Sequence, residues 1–299
     1  MNIIEISHLK KSFGNHHVIT DLNLTIPQNC IYGFLGKNGQ GKTTTMKMIL
    51  GLLKIDEGSI SVCNQPVTFG QNKTNQYIGY LPDVPSFYNH LNAFEYLKLC
   101  GEITGLDKKE ISTRSQNLLT LVDLQDNYQR IGTYSRGMKQ RLGIVQALLN
   151  KPKVLICDEP TSALDPKGRK EILDILIKVK KETTVLFSTH ILSDIERICD
   201  YVAIINNGKV VINGQMDELK RNYGKTKLMI QWANQTDLQN ALPYFTNYTL
   251  DHLKMIFNSN DLKQLQLDTL TTLTQHHLLP QIIEITEPSI EDLFLEAVL

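Results

Sequence analysis

The sequence contains no run of about 18 consecutive apolar residues, the least a helix needs to cross roughly 30 Å of hydrocarbon, so any membrane role is expected to be borrowed from a partner. Its start, MNIIEISHLKK, lacks a basic leader followed by an unbroken apolar stretch, and export of the chain is not expected. Charge of one sign is missing too: Lys plus Arg and Asp plus Glu each total 31. Without a net positive field nothing concentrates a polyanion at the surface, and nucleic acid is not expected as a partner. The five cysteines, Cys30, Cys63, Cys100, Cys157 and Cys199, are widely spaced and form no Cys-x-x-Cys pair. That argues against a disulfide framework or thiolate metal site and fits the reducing cytosol. Internal repeats, low-complexity tracts and long heptad runs are absent as well.

Apolar material suffices for a core. Of 299 residues, hydrophobic types make up 41% and charged types 21%, and the length suits one large domain followed by a small one. Apolar residues alternate through Ile4, Ile6 and Leu9 and again through Leu22, Leu24 and Ile26, predicting an antiparallel sheet turning at polar residues 14–17. An apolar run at 31–35, a glycine-rich turn and a helical stretch over 43–50 read as strand, loop, helix. Between about 85 and 150 the period becomes helical, with apolar residues at Phe94, Leu97 and Leu99, at Leu118, Leu121 and Val122, and at Leu142, Val145 and Leu149. A helical insertion within an α/β domain is expected there. Buried strands at 154–157 and 185–187 around an amphipathic helix at 170–180 resume the α/β pattern. Strands at 202–205 and 210–212 flank the Asn207-Gly208 turn, and a brief helix between Gly214 and Gly224 brings the large domain to its expected end near residue 224. Residues 225–299 predict a small α+β domain, with strands at 228–232 and 282–286 and helices near 261–274 and at 290–298.

The chemistry-bearing residues cluster at strand ends. G-K-N-G-Q-G-K-T, residues 36–43, matches the phosphate-binding spacing G-x-x-x-x-G-K-[ST] between a buried strand and a helix. Gly36, Gly39 and Gly41 let backbone N–H groups, with those of Lys37, Asn38, Gln40 and Thr44, curl around phosphate oxygens. Lys42 reaches the β- and γ-phosphates, and Thr43 offers its hydroxyl to Mg²⁺. V-L-I-C-D-E-P, residues 154–160, delivers two carboxylates at the carboxyl end of an apolar strand, where ligands of open α/β sheets bind. Asp158 is expected to hold Mg²⁺, directly or through water, and Glu159 to polarise the attacking water.

Those motifs suit any nucleotidase of this loop class. In Y-S-R-G-M-K-Q-R-L, residues 134–142, Ser135, Gly137, Gln140, Arg141 and Leu142 match the signature of ATP-binding-cassette (ABC) proteins, a Leu-Ser-Gly-Gly-Gln core followed by x-Gln-Arg-Leu. S-A-L-D at 162–165 resembles the family's D-loop and S-T-H at 188–190 its switch. Over roughly residues 2–223 the chain resembles the ATP-binding subunits of ABC transporters. The resemblance implies a P-loop NTPase core with an antiparallel β-subdomain and an inserted helical subdomain. It also implies ATP and Mg²⁺ as cofactors, catalysis by Glu159, His190 and Lys42, and Phe13 stacked on adenine. Two cassettes are implied head to tail, each nucleotide lying between one subunit's residues 36–43 and the other's Ser135, Arg136 and Gly137. Those three, at a helix start, are expected to form an anion site with nothing of their own chain to bind. A separate transmembrane permease subunit at the cytoplasmic face of the cell membrane completes the implied assembly.

Several positions depart from the family pattern. Where the family usually ends its Mg²⁺-contacting loop with glutamine, I-G-Y-L-P-D-V-P places Asp83, read as both nucleotide contact and metal ligand. Arg136 and Met138 replace glycine and glutamine of the signature. With the tail E-P-S-I-E-D-L-F-L-E-A-V, residues 287–298, these features resemble bacterial exporters of the bacitracin-resistance and lantibiotic-immunity group, implying an antimicrobial peptide, antibiotic or other hydrophobic cargo. Phe87 and Tyr88 are candidate anchors for the membrane subunit, burial within the insertion being the other reading. Two further functions stay open. One is a soluble ABC-type ATPase acting on ribosomes or nucleic acid, against which the single cassette, missing heptads and balanced charge all speak. The other is a non-hydrolysing regulatory cassette, should Asp83 or Arg136 disable turnover. The 225–299 domain is expected to be accessory, regulating or strengthening dimerisation.

Overall fold

Main-chain hydrogen bonds join ten strands into one sheet, seen in a computed structural model that describes residues 1–70, 73–125, 128–223, 226–259 and 261–286. The motif at 287–298 and the helix expected at 290–298 lie outside those residues. β1 (Asn2–Phe13) and β2 (His16–Pro27) pair antiparallel, from Asn2 opposite Pro27 to Phe13 opposite His16. Their period-2 residues Ile4, Ile6, Leu9, Leu22, Leu24 and Ile26 are all buried, as the alternation predicts. β3 (Ile31–Leu35) leads into α1 (Lys42–Ile49), after which β4 (Glu57–Val62) pairs antiparallel with β1 and carries β5 (Gln65–Pro66). β6 (Ile78–Leu81) precedes the helices α2 (Ala93–Ile103), α3 (Lys108–Leu121) and α4 (Arg136–Leu148).

Next come β7 (Val154–Asp158), α5 (Pro166–Val179), β8 (Thr184–Thr189), α6 (Leu192–Ile198), β9 (Tyr201–Asn206), β10 (Lys209–Gln215) and α7 (Met216–Tyr223). The strand order is β5-β4-β1-β2-β10-β9-β3-β8-β7-β6, with β9, β3, β8, β7 and β6 mutually parallel. Every residue of β3, β7 and β8 is buried, the signature of parallel strands covered on both faces. Tyr32 and Phe34 share a core with Met46, Met48 and Ile49 of α1, while Gly33 lies against Ile195 of α6, where a Cβ would come within 2.4 Å of its Cδ1.

The insertion is helical as expected, yet its first helix starts at Ala93, and the chain before it runs without helix. Local chemistry explains where each helix begins. Asn92 and Glu95 form a reciprocal capping box on α2, Asp107 caps α3 and Ser135 caps α4, each satisfying backbone donors that have no partner inside the helix. On α3 the buried stripe is Ile111, Ser115 and Leu119 at i, i+4 and i+8, with Leu118 and Leu121 only half-buried. Phe87 packs edge-to-face on Tyr96 with ring centroids 5.2 Å apart, whereas Tyr88 is exposed.

The chain divides into two compact units, Met1–Met216 and Asp217–Leu299, the division falling at the start of α7 rather than after it. In the second unit β11 (Lys227–Gln231), α8 (Gln235–Ala241), β12 (Tyr248–Asp251), β13 (Lys254–Asn258), α9 (Leu262–Gln275) and β14 (Ile282–Thr286) build an antiparallel sheet of order β12-β13-β11-β14. Leu228, Ile230, Met255 and Phe257 of the sheet pack with Leu238 of α8, Leu273 of α9 and the fully buried Trp232. Among the described residues the indole Nε1–H of Trp232 has no hydrogen-bond partner.

Helix α4 lies directly on β6 because two glycines remove the side chains that would separate them. A Cβ at Gly79 would stand 2.2 Å from the carbonyl oxygen of Ala147, and one at Gly143 would stand 2.5 Å from Leu81 Cδ1. Gly79→Ala must therefore push a backbone carbonyl aside. It is expected to cost about 1–3 kcal/mol, as overpacking does, read as a lowered urea midpoint at unchanged slope; an unchanged midpoint would mean that β6 and α4 separate freely.

Candidate functional site

The phosphate-loop residues lie where β3 turns into α1. Gly39 and Gly41 have φ of 84 and 99, left-handed values that favour glycine, and a Cβ at Gly41 would come within 2.4 Å of Ile19 Cδ1 on β2. Gln40 Oε1 accepts from the Asn207 backbone N–H at 2.6 Å, tying the loop to the β9–β10 turn. Lys42 is buried, and its Nζ donates to the carbonyls of Gly36 at 2.7 Å and Lys37 at 3.3 Å. The same nitrogen stands 3.4 Å from Glu159 Oε1.

Strand β7 ends on the acid pair. Asp158 Oδ1 accepts from Thr43 Oγ1 at 3.0 Å and from Ser188 Oγ at 2.7 Å. Glu159 follows in the left-handed region at φ 47, a conformation that strains a residue with a Cβ. Its backbone N–H donates to both the carbonyl and the hydroxyl of Ser188, each at 3.1 Å, which holds the strained turn in place. Its side chain, 13% exposed, thereby faces Lys42 on one side and His190 on the other, with Nδ1 of His190 2.9 Å from Oε2. An ionised carboxylate only accepts, so a hydrogen bond here requires the imidazole tautomer with its hydrogen on that nitrogen. Burial, then the Asp158 charge, pushes the Tyr80 phenol up to about 12 and the Cys157 thiol further still, so neither supplies a nucleophile beside the acids.

One cavity of about 470 Å³ collects these groups. Its wall includes the expected Asn38, Gly39, Gly41, Lys42, Thr43, Thr44, Asp83, Asp158, Glu159 and His190, joined by Val18 and Ser162. The donor set fits a phosphate chain with a hard divalent cation. Backbone N–H groups and a lysine lie at a helix start, hydroxyl and carboxylate oxygens meet at Thr43 and Asp158, and Glu159 Oε1 is a buried oxygen with no hydrogen-bond partner among the described residues. Among the described residues no group of three or more His, Cys, Asp and Glu side chains is placed to hold a metal.

Other expected site residues lie elsewhere. Gly36 and Lys37 contribute carbonyls to Lys42, and Gln40 turns to Asn207. Phe13, at the tip of the hairpin that supplies Val18, is half exposed with Lys11 Nζ 5.3 Å from its ring centroid. Two of the signature residues also make hydrogen bonds within their own chain. Ser135 Oγ accepts from the Met138 N–H at 3.2 Å, and Arg136 Nη2 donates to Ser162 Oγ at 3.2 Å. A Cβ at Gly137 would meet only Leu164 Cδ2, at 4.0 Å. The buried Gln140 donates from Nε2 to the carbonyls of Asp83 and Pro160, both at 3.2 Å.

A second cluster links the two sides of the cavity and was not evident in the sequence. Asp194 of α6 is buried; its Oδ2 accepts from Thr161 Oγ1 at 2.7 Å and its Oδ1 from Arg169 Nε at 2.6 Å. Arg169 Nη2 also donates to Ser193 Oγ at 2.6 Å. Thr161 lies two residues beyond Glu159 and Asp194 four beyond His190, so this network sets the acid and the histidine relative to each other. The available signal was a lone acid on the inner face of a short helix.

The family described as ABC transporter matches residues 19–162. The bacitracin transport ATP-binding protein BcrA of Bacillus licheniformis is 41% identical over 226 residues, 75% of this chain and 73% of that protein. The linearmycin resistance ATP-binding protein LnrL of Bacillus subtilis (strain 168) is 31% identical over 303 residues, 98% of this chain and 97% of that one. Among solved structures, cbiO1 of Clostridium perfringens, part of the ABC transporter complex cbiONQ, has a TM-score of 0.68 at 27% identity, covering 74% of this chain and 92% of that one.

The Asp194 network predicts an asymmetry between its two partners. Removing Arg169 takes the counter-charge from a carboxylate that is 2% exposed and leaves it the Thr161 hydroxyl, whereas removing Asp194 leaves a guanidinium that is 29% exposed and able to turn to water. Arg169→Ala is thus expected to cost roughly 3–5 kcal/mol and Asp194→Ala distinctly less, measured by urea unfolding; equal losses would show that the pair is solvated on both sides.

Proposed function

The chain belongs to the ABC transporter family as an ATP-binding subunit, and from that premise we propose that it hydrolyses ATP to power export of an antimicrobial peptide, antibiotic or other hydrophobic compound through a separate membrane subunit. The observation that carries hydrolysis is the setting of Glu159, a nearly buried carboxylate held between Lys42 Nζ at 3.4 Å and His190 Nδ1 at 2.9 Å. Lys42 and the loop N–H groups hold the phosphates, and Thr43, Asp158 and Asp83 hold Mg²⁺, which when bound neutralises phosphate charge. Glu159 accepts the proton of the attacking water, His190 steadies the γ-phosphate, and Phe13 stacks on adenine. Ser135 Oγ, used as an acceptor by Met138, keeps its own O–H for an oxyanion, and the open flank of Gly137 admits one. That supports a head-to-tail homodimer in which each nucleotide meets residues 135–137 of the second copy.

The cargo class rests on what the relatives are named for, bacitracin transport and linearmycin resistance. Among the described residues no helix is long and apolar enough to cross a membrane. The proposed transmembrane path belongs to a permease at whose cytoplasmic face this chain docks, with the exposed Tyr88 as anchor and Phe87 supporting it from the insertion. The second unit is proposed as an accessory that prolongs the closed dimer.

Two experiments test these readings. Glu159→Gln keeps the shape but cannot take a proton, so it is expected to bind ATP, to lose about 10²–10⁴-fold in turnover, and to accumulate as a dimer in size-exclusion chromatography with ATP and Mg²⁺. Wild-type turnover in this variant removes Glu159 from the role of base, and a wild-type chain that binds ATP without turnover favours a regulatory cassette. Truncation after Tyr223 is expected to preserve ATP affinity while shortening the life of that dimer; loss of ATP binding would make the second unit part of the nucleotide site.

A further inference from the structure

Two positions at which the sequence departs from the ABC pattern, Asp83 and Arg136, meet in space. Arg136 Nη2 stands 3.5 Å from Asp83 Oδ1 and donates to Ser162 Oγ, whose own hydroxyl donates to the same Asp83 oxygen. Asp83 and Ser162 are on the wall of the nucleotide cavity, while Arg136 opens α4. The arrangement therefore joins a carboxylate facing the cavity to a cation standing behind it.

We propose that Arg136 is an internal counter-ion that competes with the divalent cation for the Asp83 carboxylate, so that the start of α4 is tied to its own chain's cavity until the cation takes the carboxylate over. The inference rests on the nucleotide-binding reading above and adds a partner exchange to it. An ionised aspartate only accepts, so each claim on Asp83 must come from a donor or a cation. A guanidinium spreads one charge over a plane, whereas Mg²⁺ brings two charges to within about 2.1 Å of an oxygen. The metal wins that contest.

The exchange is confined to side chains. Gln140 of α4 holds the backbone carbonyls of Asp83 and Pro160 at 3.2 Å each, so residue 83 keeps its place while its carboxylate changes partner. Released from Asp83, a guanidinium already 46% exposed presents its charge at the helix start beside Ser135 and Gly137. Positive charge is thereby offered to a second copy's phosphates only once the chain's own site is loaded. With the Asp83 side chain 48% exposed as well, the pair is weak, and its removal is felt as a small factor in metal affinity.

Titrating the full-length chain with a fluorescent ATP analogue, in Mg²⁺ and in EDTA, gives the ratio of affinities with and without metal. Arg136→Ala is expected to raise this ratio by roughly two- to fivefold, the size of an exposed ion pair, and Arg136→Lys to keep it near the wild-type value. Asp83→Asn is expected to lower it, and adding Arg136→Ala to Asp83→Asn to change it no further. Salt at about 1 M, where screening acts within roughly 3 Å, is expected to shrink the Arg136→Ala effect. An unchanged ratio in Arg136→Ala overturns the proposal, as does an equal rise in the Asp83→Asn background, which would mean that Arg136 acts on the phosphates directly. A wild-type chain with no affinity for the analogue overturns the functional reading and this inference together, whereas firm binding with one ratio in every variant overturns this inference alone.

Discussion

The site depends on the register of three strands with no exposed residue. Leu35 of β3 pairs with Thr189 of β8, and Asp158 of β7 pairs with Ser188. The residues that leave the sheet next, Gly36, His190 and Glu159, consequently emerge side by side. A slip of one residue in either pairing would turn each strand over and carry Glu159 away from Lys42; with both faces buried, it is the fit of unequal side chains packed on the two faces that resists the slip. Side-chain rotamers could not repair such a slip.

Around that frame the polar groups are satisfied in ways that couple distant segments. Ser188 serves Asp158 with its hydroxyl and Glu159 with its carbonyl and hydroxyl oxygens, so one residue of β8 positions both acids. Gln140 reaches from α4 to the backbones at residues 83 and 160, while Asp194 reaches from α6 to Thr161. Each is a buried polar group whose loss of a partner would cost free energy. These bonds tie both helices to the cavity wall.

Much of the fold could be read from the residues, because β1, β2, β3, β7 and β8 combine strong apolar patterns with glycine-rich or polar turns. The phosphate loop, the acid pair and His190 were legible since each occupies a strand end defined by its own local sequence. β6 was not: Ile78–Leu81 is a short edge strand whose neighbours are polar, and it is recognised only through pairing with β7. α8 and the β12–β13 hairpin escaped for a similar reason, their burial coming from a core shared with Trp232 and Leu273 that no local period reveals. The Asp83–Arg136 pairing is a tertiary contact between segments far apart in the chain, and motif comparison treats the two substitutions as unrelated.

Trp232 is the single tryptophan of the sequence, and it lies in the core of the second unit with its indole nitrogen unpartnered among the described residues. An indole shielded from water and from hydrogen-bond acceptors emits at shorter wavelength than one in solvent. The chain thus carries one built-in optical label, lodged in the second unit and separate from the residues that line the nucleotide cavity. Its emission reports on the core of that unit, whereas circular dichroism sums over all helices, so the two signals together tell whether the units unfold together or apart without any added dye.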